Sequence, residues 1–213
     1  MIDPLIDELV GDLRPIKPMQ NWFAWALAAL GFAAISAFVI LYYGLREDFG
    51  LAMSSGTIIW KNGGLMLAAL AAAIATIALS RPHTAPPRIF IIAILAILLG
   101  VIGWRLLDLA GQSSLFYEVT HVNFGGAGIC IPVIIGGGIL VFGTIWLLWL
   151  NKSASQNPRE LGAAAGLLSG LLAASAYAFH CNMDNIFYFI FVYWLPIIGF
   201  GIFGYLMGAK LKW

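Results

Sequence analysis

Charged residues are scarce in this chain. Asp, Glu, Lys and Arg together make up 10% of its 213 residues, against about 25% in an ordinary soluble domain. With 62% hydrophobic residues and a mean hydropathy of +0.93, that shortage excludes a soluble globular domain. The composition is that of an integral membrane protein. The net charge is only +1 and the eleven Lys and Arg are scattered between apolar runs, so the concentrated basic patch that direct nucleic-acid binding requires is missing. Cysteine is limited to Cys130 and Cys181, and their separation matches no compact metal motif. No Ser-His-Asp set, Gly-rich phosphate loop or carboxylate pair is discernible, and the chain reads as non-enzymatic. The first apolar run begins only at Trp22, after four acids, where a signal peptide would have a short basic start, so no cleavable signal peptide is expected.

What is abundant is apolar sequence in long runs. Six are long enough to span a bilayer: Trp22 to Tyr43, Gly63 to Leu79, Ile89 to Leu107, Ile129 to Leu150, Leu161 to Phe179 and Ile186 to Leu206. All but the third are free of charge, and there Arg105 and Asp108 stand three residues apart, a spacing that lets them pair. Trp and Tyr cluster towards the run ends, as interfacial aromatic belts do. Pro196 in the sixth run frees a carbonyl one turn earlier and predicts a kink. The fifth run is the one around which the others are expected to assemble. Gly162, Gly166 and Gly170, followed by Ala174 and Ala178, recur every fourth residue and give one nearly smooth helix face. In lipid, where apolar side chains gain little by leaving hydrocarbon, such small-residue seams allow close backbone approach.

Residues 1–21 read as a separate cytoplasmic segment, before a six-helix transmembrane sensor domain over residues 22–213. Asp3 and Pro4 supply an N-cap and a first helical position. From there Ile2, Leu5, Ile6, Leu9, Val10 and Leu13 fall within an arc of about 140°, with Asp3, Asp7, Glu8 and Asp12 opposite. So short a helix needs something to fold against. Its polar face is acidic, whereas helices that lie on membranes are usually basic. A groove on a partner protein is therefore the preferred surface, ahead of its own bundle or lipid. Leu5, Ile6, Leu9 and Leu13 would enter the groove, with Asp7 and Asp12 on its rim.

Orientation comes from the loops. The N-terminal tail (Arg14, Lys17), second loop (Arg81, Arg88), fourth loop (Lys152, Arg159) and C-terminal tail (Lys210, Lys212) each hold two basic residues. The other side has only Arg46, Lys61 and Arg105. The positive-inside rule then makes both termini cytoplasmic and puts Cys130 and Cys181 on the outer side. His121 and Glu118, and His180, Met183 and Asp184, lie on the same side. Thiolate with imidazole suits soft and borderline metal ions, whereas two thiols in an oxidising compartment form a disulfide. Sequence leaves both open. A small metal transporter would need polar groups at mid-membrane, where this chain has no charge. A thiol oxidoreductase that relays electrons would need more than one cysteine pair.

Three stretches carry a resemblance to a known family. The run Gly162-Ala-Ala-Ala-Gly-Leu-Leu-Ser-Gly-Leu-Leu-Ala-Ala-Ser-Ala-Tyr-Ala-Phe-His-Cys181, the opening Ile6-Asp-Glu-Leu-Val-Gly-Asp-Leu-Arg-Pro15 and the closing Lys-Leu-Lys-Trp213 resemble the NrsF-type membrane anti-sigma factors, negative regulators of sigma F. The resemblance implies a multi-pass protein of the bacterial inner membrane. Its N-terminal segment would hold an extracytoplasmic-function sigma factor, and two periplasmic-side cysteines, matching Cys130 and Cys181, would take part in sensing heavy-metal or oxidant stress. No constitutive cofactor is implied, only a transient heavy-metal ion at the thiols.

Overall fold

In a computed structural model of the chain, residues 20–81, 87–111 and 115–211 are described. The N-terminal helix expected over Ile2 to Leu13, with Leu5, Ile6, Asp7, Leu9, Asp12 and Leu13, lies outside them. Helices make up the described architecture: α1 (Asn21–Tyr42), the short α2 (Phe49–Ser54), α3 (Ile59–Leu79), α4 (Pro87–Gly111), the short α5 (Leu115–Thr120), α6 (Ala127–Leu148), α7 (Pro158–Ala178) and α8 (Ile186–Gly208). Six of these, all but α2 and α5, are long and apolar enough to cross a membrane. They coincide with the six runs read from the sequence, with shifts of a few residues at the ends.

One of the two largest shifts is informative. α3 begins four residues before the expected Gly63, because its first turn, Ile59–Gly63, is π-helical and contains the charged Lys61. A second π-helical turn, Phe189–Tyr193, lies in α8 just upstream of Pro196. Pro196 has no N–H to offer the preceding turn, and the chain re-registers there. The helix then continues to Gly208. α4 runs on past Leu107 to Gly111, and Arg105 donates to Asp108 at 2.6 Å within it, as their spacing predicts.

α7 is the hub. Every residue from Leu161 to Ala178 is buried, with α1, α3, α6 and α8 packed around it. α4 packs chiefly on α3 at the edge of the bundle. Small residues permit this. A Cβ placed on Gly162 would overlap the carbonyl oxygen of Gly204, and one on Gly166 the carbonyl oxygen of Phe200. Cβ atoms on Gly204 and Gly208 would strike the Gly162 and Pro158 carbonyls. The backbones of α7 and α8 thus touch along a glycine seam, and the four-residue repeat is its α7 half. On the outside, Leu30, Leu41, Ile92, Leu99, Leu140 and Leu206 are exposed, an apolar surface of the kind that lipid covers.

Candidate functional site: a thiol pair over an ionic clamp

Cys130 sits in the first turn of α6, and Cys181 just beyond the C-terminus of α7. The two residues are 51 positions apart in sequence, yet the Sγ atoms lie 4.0 Å apart and both are buried. Tyr188 of α8 places its hydroxyl 2.9 Å from Cys130 Sγ. Space for this contact depends on Gly126, where a Cβ would come to 3.0 Å from the Tyr188 hydroxyl and to 3.8 Å from Cys130 Sγ. Phe124 stacks on Tyr188 with centroids 6.1 Å apart, so the α5–α6 connection covers the thiols.

Tyr188 is positioned from the start of α8. Asn185 caps that helix, its Oδ1 accepting from the N–H groups of Phe187 and Tyr188 at 2.9 and 3.1 Å. Such a cap contributes about 1 kcal/mol. Glu118 of α5 supports it from outside, accepting from the Ile186 N–H at 3.1 Å, while Asn185 Nδ2 donates to the Glu118 carbonyl at 2.7 Å. Glu118 therefore fastens α5 to α8 and its carboxylate is already engaged.

Beneath Cys181 lies a set of charges. Lys61, with 0% of its side chain exposed, donates from Nζ to the carbonyls of Cys181 and Met183 at 3.1 and 2.9 Å and to Asp184 at 3.3 Å. It also lies 5.2 Å from the centre of the Tyr193 ring. Arg46, 1% exposed, donates through Nη1 and Nη2 to Asp184 at 3.1 and 2.6 Å. Through Nε and Nη2 it reaches Asp48 at 2.7 and 2.8 Å. Two cations and two carboxylates thus close on one another with no net charge. Buried ions survive only when paired in this way. The clamp ties the α1–α2 loop, α3 and the α7–α8 loop together at the cysteine.

Its electrostatics follow from these contacts. Hydrogen bonds to Asp48 and then to Asp184 hold Arg46 charged, well above the ordinary guanidinium value despite burial. The Arg46 guanidinium in turn holds the Asp48 carboxyl below its ordinary value of 3.8. Cys181 is lowered from the usual thiol range, first by the Cys130 thiol as hydrogen-bond donor and then, against burial, by the positive charge of Lys61. The Asp48 shift gives a sign for acid stability. A carboxyl with a depressed folded value stabilises the fold above its unfolded value and loses that contribution as pH falls through the folded one. The thermal midpoint of the detergent-solubilised protein should therefore hold steady from neutral pH to about pH 4 and fall below it. Asp48→Asn should lower the plateau and flatten the fall, and an identical profile for the two proteins would remove Asp48 from the clamp's energetics.

His180 and His121 are placed elsewhere. His180 has Nδ1 3.0 Å from the Gly44 carbonyl and packs against Tyr43 and Tyr177. His121 is exposed, stacked on Tyr117 at 4.1 Å, with Nδ1 2.9 Å from Thr120 Oγ1. Among the described residues, no group of three or more His, Cys, Asp or Glu is arranged to hold a metal ion. Of Cys130, Cys181, His121 and His180, the fold brings only the two thiols into contact with each other. Lys61, Arg46, Asp48, Tyr188 and Tyr193 around them were not singled out by sequence reasoning as site residues. One signal was available: the cysteine side has only three basic residues, two of them next to apolar runs, and Asp184 follows Cys181 closely.

Compared with known protein families, residues 9–213 match NrsF, Negative regulator of sigma F. The chain belongs to the NrsF family. That match takes in nearly the whole chain, with both cysteines and all six long helices. The family's description makes a sigma factor the partner of this NrsF-family protein, and anti-sigma activity its class. Comparison with curated proteins and with solved structures gives no match.

Proposed function

We propose that this NrsF-family chain is a multi-pass protein of the bacterial inner membrane that sequesters an extracytoplasmic-function sigma factor. It releases the factor when a soft metal ion or an oxidant engages Cys130 and Cys181. The observation that carries this reading is the juxtaposed, buried thiol pair, since two cysteines are the whole of the chain's thiol chemistry. Orientation is supported by Arg81, Lys152, Arg159 and Lys210, which lie at the helix ends away from the cysteines. By the positive-inside rule that end faces the cytoplasm.

An oxidant, or an ion held in other than trigonal geometry, changes the distance between α6 and the end of α7. With metal–sulfur bonds of about 2.3 Å, the present 4.0 Å separation corresponds to an S–M–S angle of about 120°. A two-coordinate linear ion would push the sulfurs apart to about 4.6 Å. A disulfide would draw them in to about 2.05 Å, with two electrons passing to the oxidant and two protons lost. The signal works only if it favours one packing of the bundle over another, by about 1–3 kcal/mol for an ordinary allosteric effect.

The test uses the full-length protein in membranes with its sigma factor bound. Cadmium chloride should release the factor from wild type but from neither Cys130→Ser nor Cys181→Ser, although both variants still bind it without metal. Undiminished release from both variants would demote the thiols to packing residues. Partner binding is tested separately at the other end. Changing Leu5 and Leu9 to Asp together should abolish capture of the sigma factor, because each buried leucine contributes about 1.5–3 kcal/mol. The Asp7→Asn, Asp12→Asn protein should lose affinity mainly at low salt. Wild-type recovery of the factor by the double Leu variant would exclude the N-terminal segment as the holding element.

A further inference from the structure

The two ends of the bundle treat their cations differently. At the cysteine end Arg46, Lys61 and Arg105 each pair with a carboxylate. At the opposite end Arg81, Lys152, Arg159 and Lys210 are all exposed, and among the described residues none of them pairs with one. Of the chain's ten acidic residues, Glu47, Asp48, Asp108, Glu118 and Asp184 lie at the cysteine end, and Glu160 is the one described at the other. Asp3, Asp7, Glu8 and Asp12 complete the count, and no Lys or Arg precedes Arg14 to offset them. Arg159 and Lys210 converge, because a Cβ on Gly208 would come to 2.9 Å from Arg159 Cα. Arg159 also lies over the Tyr205 ring at 5.7 Å, and beside it Leu206 is 63% exposed. With Lys152 closing the turn after α6, the junction of the α6–α7 connection and the end of α8 is a basic rim next to an apolar step.

We propose that this junction is an intramolecular dock for residues 2–13, which occupy it in competition with the sigma factor. Leu5, Leu9 and Leu13 cover Tyr205 and Leu206, and the acids of the segment meet Lys152, Arg159 and Lys210. The charge match supplies selectivity and steering. The tether is long enough. α7 packs against both α1 and α8, so α8 stands no more than two interaxial spacings, about 16–20 Å, from α1. Residues 14–20 can span up to about 24 Å, and a helix over residues 2–13 adds about 18 Å. The same leucines cannot enter a partner's groove and cover this step at once. A signal that favours the dock therefore releases the factor. That consequence rests on the sequestration reading given above, whereas the dock itself does not.

Full-length protein without the factor, one chain per nanodisc of mixed phosphatidylcholine and phosphatidylglycerol, is treated with a water-soluble carbodiimide. This reagent joins lysine amines to adjacent carboxylates, and the links are mapped by mass spectrometry. Links from Lys152 or Lys210 to Asp3, Asp7, Glu8 or Asp12 are expected, and they should be lost at high salt. Links confined to Lys17, the lysine next to the segment, overturn the dock and leave the basic rim to lipid phosphates. The Lys152→Ser, Arg159→Gln, Lys210→Ser protein removes the rim through exposed positions. It should bind the factor about three- to tenfold more tightly than wild type, since a docked fraction lowers apparent affinity in proportion. Unchanged binding overturns the competition, and so does weaker binding, which would make the rim a contact for the factor itself. Because cross-linking is read without the factor, the two readings fail separately. Links present alongside sigma-factor capture that survives Leu5→Asp with Leu9→Asp would defeat the sequestration reading alone.

Discussion

Gly166→Ala is expected to be among the most damaging single substitutions in the chain, although it adds one methyl group. The new Cβ would overlap the Phe200 carbonyl oxygen, and a backbone atom cannot swing aside as a side chain does. α7 and α8 would have to separate along their whole contact, which places the cost at or above the upper end of the about 1–3 kcal/mol usual for overpacking. Gly204→Ala should behave alike, because its Cβ would meet the Gly162 carbonyl from the other side. Gly136→Ala is the control. There a Cβ meets nothing within 4 Å, and helix propensity alone predicts a gain of up to about 1 kcal/mol. Unfolding by SDS titration, followed by circular dichroism, gives the comparison. A Gly166→Ala protein as stable as the control would mean that the seam does not hold the helices at contact distance.

The second large effect is expected at Asp184. Removing its carboxylate with Asp184→Ala leaves Lys61, among the described residues, with no carboxylate at hydrogen-bond distance and Arg46 with Asp48 alone. Breaking a buried ion pair from one side typically costs about 3–5 kcal/mol, because the remaining charge stays desolvated. The Lys61→Met, Asp184→Leu double variant should recover a substantial part of that loss, since it removes one charge of each sign. Recovery distinguishes stranded charge from lost packing, as a double-mutant cycle is designed to do. The clamp also fixes the Cys181 carbonyl, so Asp184→Ala should expose the thiols and quicken their alkylation by a neutral maleimide. An unchanged alkylation rate in a destabilised protein would separate the clamp from the thiol pair.

Much of the fold was legible because the dominant signals are local. Run length and the absence of charge locate the six long helices, and the four-residue glycine repeat identifies α7 as the helix others pack on. The start of α3 was misplaced for a physical reason. A lysine next to an apolar run normally marks the end of a span, but here Lys61 is drawn inside by three acceptors, two of them backbone carbonyls. Backbone carbonyls leave no trace in a sequence. The histidines illustrate the converse. His180 is adjacent to Cys181 in the chain, yet the turn after α7 directs its ring to the Gly44 carbonyl and the Tyr43 and Tyr177 rings. Proximity of the two sulfurs was equally beyond sequence, because it depends on how α6 is seated against the end of α7 across 51 residues.

The glycine seam also decides which part of the molecule is free to carry a message. α7 and α8 are in backbone contact from Pro158 and Gly208 at one end to Gly170 and Ile197 further along, and they behave as a single beam. A change in the gap between Cys130 and Cys181 cannot bend one against the other. It must instead lever α6 over that beam. The far end of the lever is the turn Leu150–Lys152, where Trp149, Leu150 and Ser153 are buried ahead of Arg159. The connection from α6 to α7, more than the tail that follows α8, is where displacement at the thiols would emerge on the opposite face.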